Sequence, residues 1–145
     1  MKDILVDLLD DLDGVAQDPV WHPEGDALFH SLQVYALACA ETHDPELMAA
    51  ALLHDVGKGL PGAHEIEGAR LLEGLISDRV VWLVRHHLDL LRAPRRTRRR
   101  LRGTERLRDL ERLRRWDVGG RDPDATVGTV EDAVDSLLEA LSGLR

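Results

Sequence analysis

The pattern of apolar and polar positions along the chain predicts helices and no strand. Apolar residues recur every three or four positions in most segments, which is typical of helices that bury one face. Two stretches, 27–43 and 45–56, are apolar on most sides and are predicted to be buried helices. Further helices are predicted at ILVDLLDDL, HEIEGARLLEGLI, SDRVVWLVRHHLDLL, residues 97–118 and TVEDAVDSLLEALSGL. The predicted fold is all-α, a compact single-domain helical bundle.

Capping residues mark several of these boundaries. Asp44 precedes Pro45, which is an N-cap followed by proline at the first helical position, and Ser77 and Thr129 are further N-cap candidates. Pro94 ends the helix that begins at Ser77. The basic segment 97–118 is predicted to be helical with a possible break near its glycine.

Length and composition fit one globular domain. The chain has 145 residues, of which 43% are apolar and 32% charged, and it contains no apolar run as long as a membrane span. The start, MKDILVDLLDD, is acidic and unlike the basic beginning of a signal peptide. The single cysteine, Cys39, lies in an apolar run and has no partner for an intramolecular disulfide. A cytoplasmic location is therefore expected.

The charge is unevenly distributed. The net charge is −8, yet residues 92–115 hold twelve arginines against three acids, a local charge of +9 that leaves −17 for the rest. Arginine suits phosphate oxygens, so this segment is a candidate site for a nucleotide or an RNA end. Arg95 and Arg102 are candidate substrate contacts. The alternative is a solvated helix face that balances the acidic remainder.

One short stretch, ALLHDVGKG at 51–59, combines a core-like run with ionisable residues. On a 3.6-residue repeat, both His54 and Asp55 align with apolar positions, so both side chains are expected to point inward. Burial of a lone carboxylate costs several kcal/mol unless the carboxylate is paired or bound to a metal. Taken alone, the pair also fits a buried histidine with its hydrogen bonds made inside the core, next to an aspartate that caps the end of the helix.

Other histidines favour a metal site over that simpler interpretation. His30 and His87 lie on apolar faces of two further predicted helices, and His64 opens a third. Imidazoles and carboxylates that converge in a bundle core are how helical proteins build metal sites. A thiolate-bound structural zinc is excluded because cysteine ligands are lacking. A His/Asp set leaves positions open for water and substrate, which suggests a catalytic metal.

With these residues the chain resembles the HD-domain family of metal-dependent phosphohydrolases. His30, the pair His54–Asp55 and Asp117 match the family's ordered pattern. The resemblance is closest to the HD domain attached to bacterial CCA-adding tRNA nucleotidyltransferases and covers residues 20–122. Five blocks carry it in order: HPEGDALFH, ALLHDVGKG, HEIEGARLL, WLVRHHL and WDVGGR.

The chain departs from that branch, and it also lacks the mark of another HD branch. It has no room for a nucleotidyltransferase head, so the expectation is a stand-alone HD domain over 1–145, with flanking helices at 1–19 and 129–145. It also lacks a GYP-type block, so cleavage of cyclic-di-GMP is not the first choice. The substrate therefore does not transfer directly from the tRNA enzymes.

The resemblance implies one or two bound divalent ions, with Mn, Fe, Co, Ni, Zn and Mg as candidates. The first ion would be held by His30, His54, Asp55 and Asp117. Asp55 would bridge to a second ion held by His64 and His87. His86 is an alternative to His87, and His22 is either a further ligand or a residue that shapes its turn.

The implied activity is hydrolysis of a nucleotide or related phosphate mono- or diester, as by a nucleotidase, a phosphatase or a 2′,3′-cyclic phosphodiesterase. A bound divalent ion lowers the pKa of its water towards ~7 and so provides hydroxide at neutral pH. The candidate catalytic residues are Asp55, Lys58 and Arg121. Lys58 and Arg121 are expected to stabilise the charge on phosphoryl oxygens, although Lys58 also fits a solvated helix end. The alternative function is a non-catalytic HD module that binds nucleotide or RNA through its arginine-rich face.

Overall fold

The computed structural model describes residues 1–143 and confirms the all-α prediction. Its helices are α1 (Lys2–Asp10), α2 (Ala27–Glu41), α3 (Pro45–Leu53), α4 (His64–Leu72), α5 (Asp78–His86), α6 (Asp89–Arg92), α7 (Pro94–Arg100), α8 (Glu105–Gly119) and α9 (Val130–Ser142), with a 3₁₀ turn at Val56–Gly59. Within this range the β-structure is one isolated bridge between Ala16 and Asp26. No described helix is both long enough and apolar enough to cross a membrane.

The two helices predicted to be buried form the centre of the bundle. Every residue from Leu47 to Leu53 in α3 is buried, and α3 packs against α2, α5, α8 and α9. Trp116 is 1% exposed and fills the space between α8 and the central pair. This apolar centre surrounds the ends of α2, α3 and α5, where the predicted site residues are found.

The predicted N-caps are confirmed. The Asp44 side chain accepts hydrogen bonds from the first turn of α3, with Pro45 in the first helical position. Ser77 and Thr129 cap α5 and α9 in the same way. These bonds satisfy backbone N–H groups that a helix leaves free at its start, and so they fix where each helix begins.

The second buried helix is shorter than predicted. It ends at Leu53 instead of residue 56, and His54 takes the C-cap position. A Cβ at Gly57 would lie 2.1 Å from the backbone oxygen of His64 and 2.5 Å from the backbone nitrogen of Gly68. Only glycine permits this close approach, which brings the start of α4 against the turn that follows α3.

The predicted helix over 77–91 is also wrong as one continuous element, because it divides into α5 and α6 at His87 and Leu88. His87 donates from its ring Nδ1 to the Val84 oxygen at 2.7 Å, and this bond turns the ring inward at the helix end. The basic segment divides into α7 and α8 around Gly103, where the sequence predicted a break and φ is +75°. Residue 144 of the last predicted helix lies outside the described residues.

Candidate metal centre and substrate cavity

Six side chains that the sequence singled out converge in the bundle. They come from α2, the end of α3, the turn after α3, the start of α4, the end of α5 and the last turns of α8. Five are buried and one is half-buried at the cavity floor. In chain order they are His30, His54, Asp55, His64, His87 and Asp117.

The Asp55 carboxylate lies at the centre of this group. Its Oδ2 is 3.1 Å from His54 Nε2 and 3.7 Å from His30 Nε2. Its Oδ1 is 3.5 Å from His64 Nε2 and also 3.5 Å from His87 Nε2. The two oxygens of one carboxylate therefore face two different pairs of imidazoles.

Asp117 adds a second carboxylate to the first pair. Its Oδ1 lies 2.8 Å from His30 Nε2 and 3.5 Å from His54 Nε2. The contacts of the two carboxylates define a first set, His30, His54, Asp55 and Asp117, and a second set, Asp55, His64 and His87. Ligand atoms lie within 4.8 Å of one another, close enough to surround one ion, in three triplets of these residues: His30–His54–Asp55, Asp55–His64–His87 and His54–His87–Asp117. The third triplet shows that the two sets adjoin, and Asp55 belongs to both.

Backbone carbonyls set the orientation of three of the imidazoles. Each ring points its Nδ1 at a carbonyl oxygen, which can only accept a hydrogen bond, so Nδ1 must carry a proton. In a neutral ring the Nε2 lone pair is then directed at the carboxylates. The three pairs are His30–Gly120 at 2.7 Å, His54–Ala51 at 2.8 Å and His87–Val84 at 2.7 Å.

Several buried nitrogens in the group have no hydrogen-bond partner among the described residues. They are the Nε2 atoms of His54, His64 and His87. Buried polar atoms are almost always paired, so three unpartnered nitrogens in one place need an explanation. Where a nitrogen lone pair and a carboxylate oxygen point at each other, a proton or a metal cation must lie between them. The donor set, nitrogen and oxygen without sulfur, fits a divalent metal ion.

The electrostatics of the group indicate the same requirement. Burial acts against the charged form of His54, but Asp55 and Asp117 raise its pKa to about 10. Burial likewise acts to raise the pKa of both carboxyls, and the attraction of His54 instead holds them well below their usual range. His64 differs, because burial lowers its pKa to about 4 against the attraction of Asp55. The first set therefore attracts positive charge, whether a proton or a metal ion.

Comparison with known proteins identifies the family. The sequence model of the HD domain matches residues 28–122, about two thirds of the chain. The chain belongs to the HD domain family. Members of this superfamily are generally metal-dependent phosphohydrolases and bind divalent ions.

The most similar curated relatives include multifunctional CCA proteins. The HD domain described here is 37% identical over 102 residues to the one from Halorhodospira halophila, covering 59% of this chain and 25% of that protein. It is 46% identical over 77 residues to the one from Ectopseudomonas mendocina, covering 46% of this chain and 18% of that protein. The chain thus matches a quarter or less of these relatives' length, in agreement with the resemblance seen in the sequence.

A cavity of about 740 Å³ opens above the metal centre of this HD domain. This volume suits a small ligand such as a nucleotide. Asp55, His64, His87 and Asp117 line its floor, and exposed apolar side chains, among them Trp21, lie at its rim. Four cationic side chains also line it: Lys58, Arg92, Arg114 and Arg121.

The two cations predicted as catalytic contacts both lie at this cavity. Lys58 Nζ is 3.2 Å from Asp55 Oδ2 and also donates to the side chain of Gln17. Arg121 donates from Nε to the Asp117 backbone oxygen at 3.2 Å, and from Nη1 to that of Trp21 at 3.1 Å. Arg121 therefore connects the end of α8 to the chain segment that forms the opposite wall.

Two predicted substrate contacts, Arg95 and Arg102, do not line the cavity, and two other arginines take that place. Arg92 lies in α6 and pairs with Glu65 at 2.7 Å. Arg114 lies one turn before Asp117 on α8, 3.7 Å from its carboxylate. That spacing was visible in the sequence and is the signal that would have selected Arg114. No comparable signal singles out Arg92.

The structure also separates the two adjacent histidines that the sequence left open. His87 is 3% exposed and faces Asp55, whereas His86 stacks on Trp82 with ring centroids 4.4 Å apart. His86 Nδ1 lies 2.8 Å from Asp89, away from the centre.

A buried carboxylate that the sequence analysis missed supports the first histidine of the centre. Glu24 Oε2 lies 3.2 Å from His30 Nδ1, and Oε1 lies 3.1 Å from His22 Nδ1. His22 also lines the cavity, and its Nδ1 is the atom that faces Glu24. Carboxylates behind metal-binding histidines commonly fix ring orientation. The pattern H-x-E before His30 was the available signal.

Proposed function

We propose that this HD domain is a divalent-metal-dependent phosphohydrolase that acts on a nucleotide or related phosphate mono- or diester. The observation that carries the proposal is the placement of Asp55, whose two oxygens face two separate histidine pairs at the floor of a cavity lined by cations. A metal centre below a cationic pocket is suited to bind and polarise a phosphate group.

The residues would hold two ions, one in each set. The first set is His30, His54, Asp55 and Asp117, and the second is Asp55, His64 and His87. When bound, such ions supply Lewis acidity and lower the pKa of water at the site. Asp55 would belong to both sets, which makes it the residue on which the centre depends most.

The cationic side chains would bind and orient the phosphate. Lys58 lies beside the first set, where its ammonium group can neutralise charge that builds up on phosphoryl oxygens. The guanidinium of Arg121 is held by two backbone carbonyls, so its orientation is fixed before substrate arrives. Arg92, which pairs with Glu65, and Arg114, which lies 3.7 Å from Asp117, also line the cavity and would bring guanidinium donors to the substrate.

The unpartnered nitrogens favour an enzyme over a purely binding module. A module that binds nucleotide through surface arginines gains nothing from three buried imidazole nitrogens that lack partners. Such groups cost stability unless they are used, and they persist mainly at functional sites. The relatives' printed description, multifunctional CCA protein, is compatible with a nucleotide or RNA-end substrate.

The test is metal content followed by turnover. Protein purified without a histidine tag is analysed by mass spectrometry for bound metals, then assayed on an aryl phosphate, on 2′-, 3′- and 5′-nucleotides and on 2′,3′-cyclic nucleotides. We expect up to two ions per chain and hydrolysis that EDTA abolishes and divalent ions restore. His54→Gln should lose at least about a hundredfold in activity, because loss of even an outer residue typically costs 10–100-fold.

His43→Gln serves as the matched control, since His43 is exposed and lies outside both ligand sets. It should retain wild-type metal content and activity. Protein that binds no metal and shows no metal-restored turnover on this panel would refute the proposed function.

A further inference from the structure

The segment around α7 is a densely basic surface on an acidic molecule. Residues 92–104 contain seven arginines and no acid, on a chain whose net charge is −8. Five of them lie in the seven residues of α7, all exposed, whereas Thr97 is the residue that α7 buries. Those five are Arg95, Arg96, Arg98, Arg99 and Arg100.

Few of these charges are neutralised within the part of the chain that the structure describes. Among the α7 arginines, Arg100 pairs with Asp89 at 3.3 Å, and no ion pair with an acid of residues 1–143 is formed by the other four. Arg96 lies three and four residues from Arg99 and Arg100, which are the spacings at which like charges on a helix repel. Most of the α7 arginines are therefore not held by nearby acids, and their guanidinium groups are available to an external anion.

The position of α7 relates this surface to the cavity. Thr97 donates a hydrogen bond to the Asp89 backbone oxygen at 3.1 Å, so α7 folds back against α6. Leu91 and Arg92 of α6 line the cavity mouth. The arginines of α7 therefore follow directly in the chain after Arg92, a residue that lines the cavity.

We propose that α7 is a docking surface for a single-stranded polynucleotide, held through its phosphate backbone with one end at the cavity. Guanidinium groups bind phosphate oxygens in pairs of hydrogen bonds, which suits a repeating phosphate partner. Aromatic side chains are absent from 92–104, so contact with the backbone is favoured over base stacking. This inference extends the proposed substrates from small esters to the ends of polynucleotide strands. Binding of the strand does not depend on the proposed function, but hydrolysis of its end in the cavity does.

Two other polyanions fit less well. α7 is about 10 Å long and presents no exposed large apolar side chain, so it has nothing to insert into a lipid surface. An acidic peptide could pair with arginines, but it offers no reason for the surface to lie beside a phosphate pocket.

The experiment measures binding without turnover. Fluorescence anisotropy of labelled 12-nucleotide single-stranded RNA and DNA is recorded with the full chain in EDTA, from 50 to 200 mM salt. We expect both strands to bind, with an affinity that falls as salt rises. The R96Q/R98Q/R99Q variant should bind at least about tenfold more weakly at low salt, and its slope of log K against log salt should shrink by about 2.

The matched control is R70Q/R85Q/R115Q, which removes the same charge from arginines that each pair with a nearby acid. It should keep the wild-type slope. The R96K/R98K/R99K variant retains the charge and should keep most of the slope, which also guards against misfolding of the glutamine variant.

Equal losses in the α7 variant and the control would overturn the proposal, as would wild-type protein that binds neither strand at 50 mM salt. Stronger binding to phosphatidylglycerol vesicles or to poly-glutamate than to either strand would also overturn it. Because EDTA removes hydrolysis from the measurement, docking and the proposed hydrolase activity can fail independently.

Discussion

Two charged clusters inside this HD domain look alike in composition and differ in how their atoms are paired. The first surrounds Arg79, which joins α5 to the start of α3 and to α8. Its guanidinium lies between 2.8 and 3.3 Å from four carboxylates, those of Asp44, Glu46, Glu105 and Asp109. The second is the metal centre around Asp55.

In the Arg79 cluster every donor of the guanidinium faces an acceptor. Burial disfavours its charge, yet Asp44 and Asp109 raise the pKa of Arg79 above its ordinary value. In the candidate metal centre, by contrast, imidazole nitrogens face carboxylate oxygens, and three of those nitrogens have no hydrogen-bond partner among the described residues. Unpaired acceptors, rather than burial or the number of charges, are what distinguish a site built for a ligand from a cluster that holds helices together.

The largest expected effect is a loss of metal and activity on substitution of His87 but not of the adjacent His86. His87→Gln removes one of three ligands of the second set, so we expect the loss of one bound ion per chain and at least about a hundredfold drop in turnover. The measurement is metal content by mass spectrometry together with hydrolysis of an aryl phosphate.

His86→Gln is the matched control, because the same residue type is removed one position earlier, outside the ligand sets. It should retain both ions and wild-type turnover. Retention of both ions by His87→Gln would show that the second set is not a metal site.

The sequence predicted much of this centre because its residues follow the helix repeat. His30, His54, Asp55 and His87 align with apolar positions of their predicted helices, whereas Asp117 was identified only through the resemblance to the HD family. The N-caps and the core helices were also predictable, since capping and periodicity are local properties.

What the sequence did not predict depends on contacts between distant segments. From the sequence Arg79 is a surface charge at the start of a helix, because its partners lie 26 to 35 residues away along the chain. The helix ends at His54 and His87 were placed too late, since periodicity continues through them and close packing at Gly57 ends the first of these helices. Arg92 was missed because the cavity wall forms only after α6 separates from α5.

The second prediction tests whether the Arg79 cluster is purely structural. Arg79→Met leaves four carboxylates without their shared cation, and we expect the free energy of unfolding to fall by about 2–3 kcal/mol, between the values typical of buried and exposed pairs. Urea denaturation followed by circular dichroism measures this change. Metal content should stay at the wild-type level.

Arg70→Met is the control, because Arg70 pairs with Glu67 on an exposed helix face. It should change the unfolding free energy by no more than about 0.5 kcal/mol. A loss of bound metal in Arg79→Met, with unchanged stability, would mean that the two clusters are coupled and that the contrast between them is wrong.

The smallest expected effect is the number of protons that the candidate metal centre releases when it binds an ion. The pKa of His54 is raised to about 10, so its ring is protonated at pH 8 in metal-free protein, and an ion must displace that proton. Metal affinity in the first set should therefore rise with pH. His64 has a pKa of about 4 and is already neutral, so it should release no proton when the second set is filled.

Calorimetric titration of metal-free protein at pH 8, in buffers that differ in ionisation enthalpy, counts these protons. We expect about one proton for the ion in the first set, and the same number in Arg79→Met, whose altered cluster holds no ligand. Heats that do not depend on the buffer would show that His54 is neutral before metal binds. Burial would then lower the pKa of His54 by more than Asp55 and Asp117 raise it. In that case only a metal ion, and not a proton, would stabilise the facing nitrogens and oxygens.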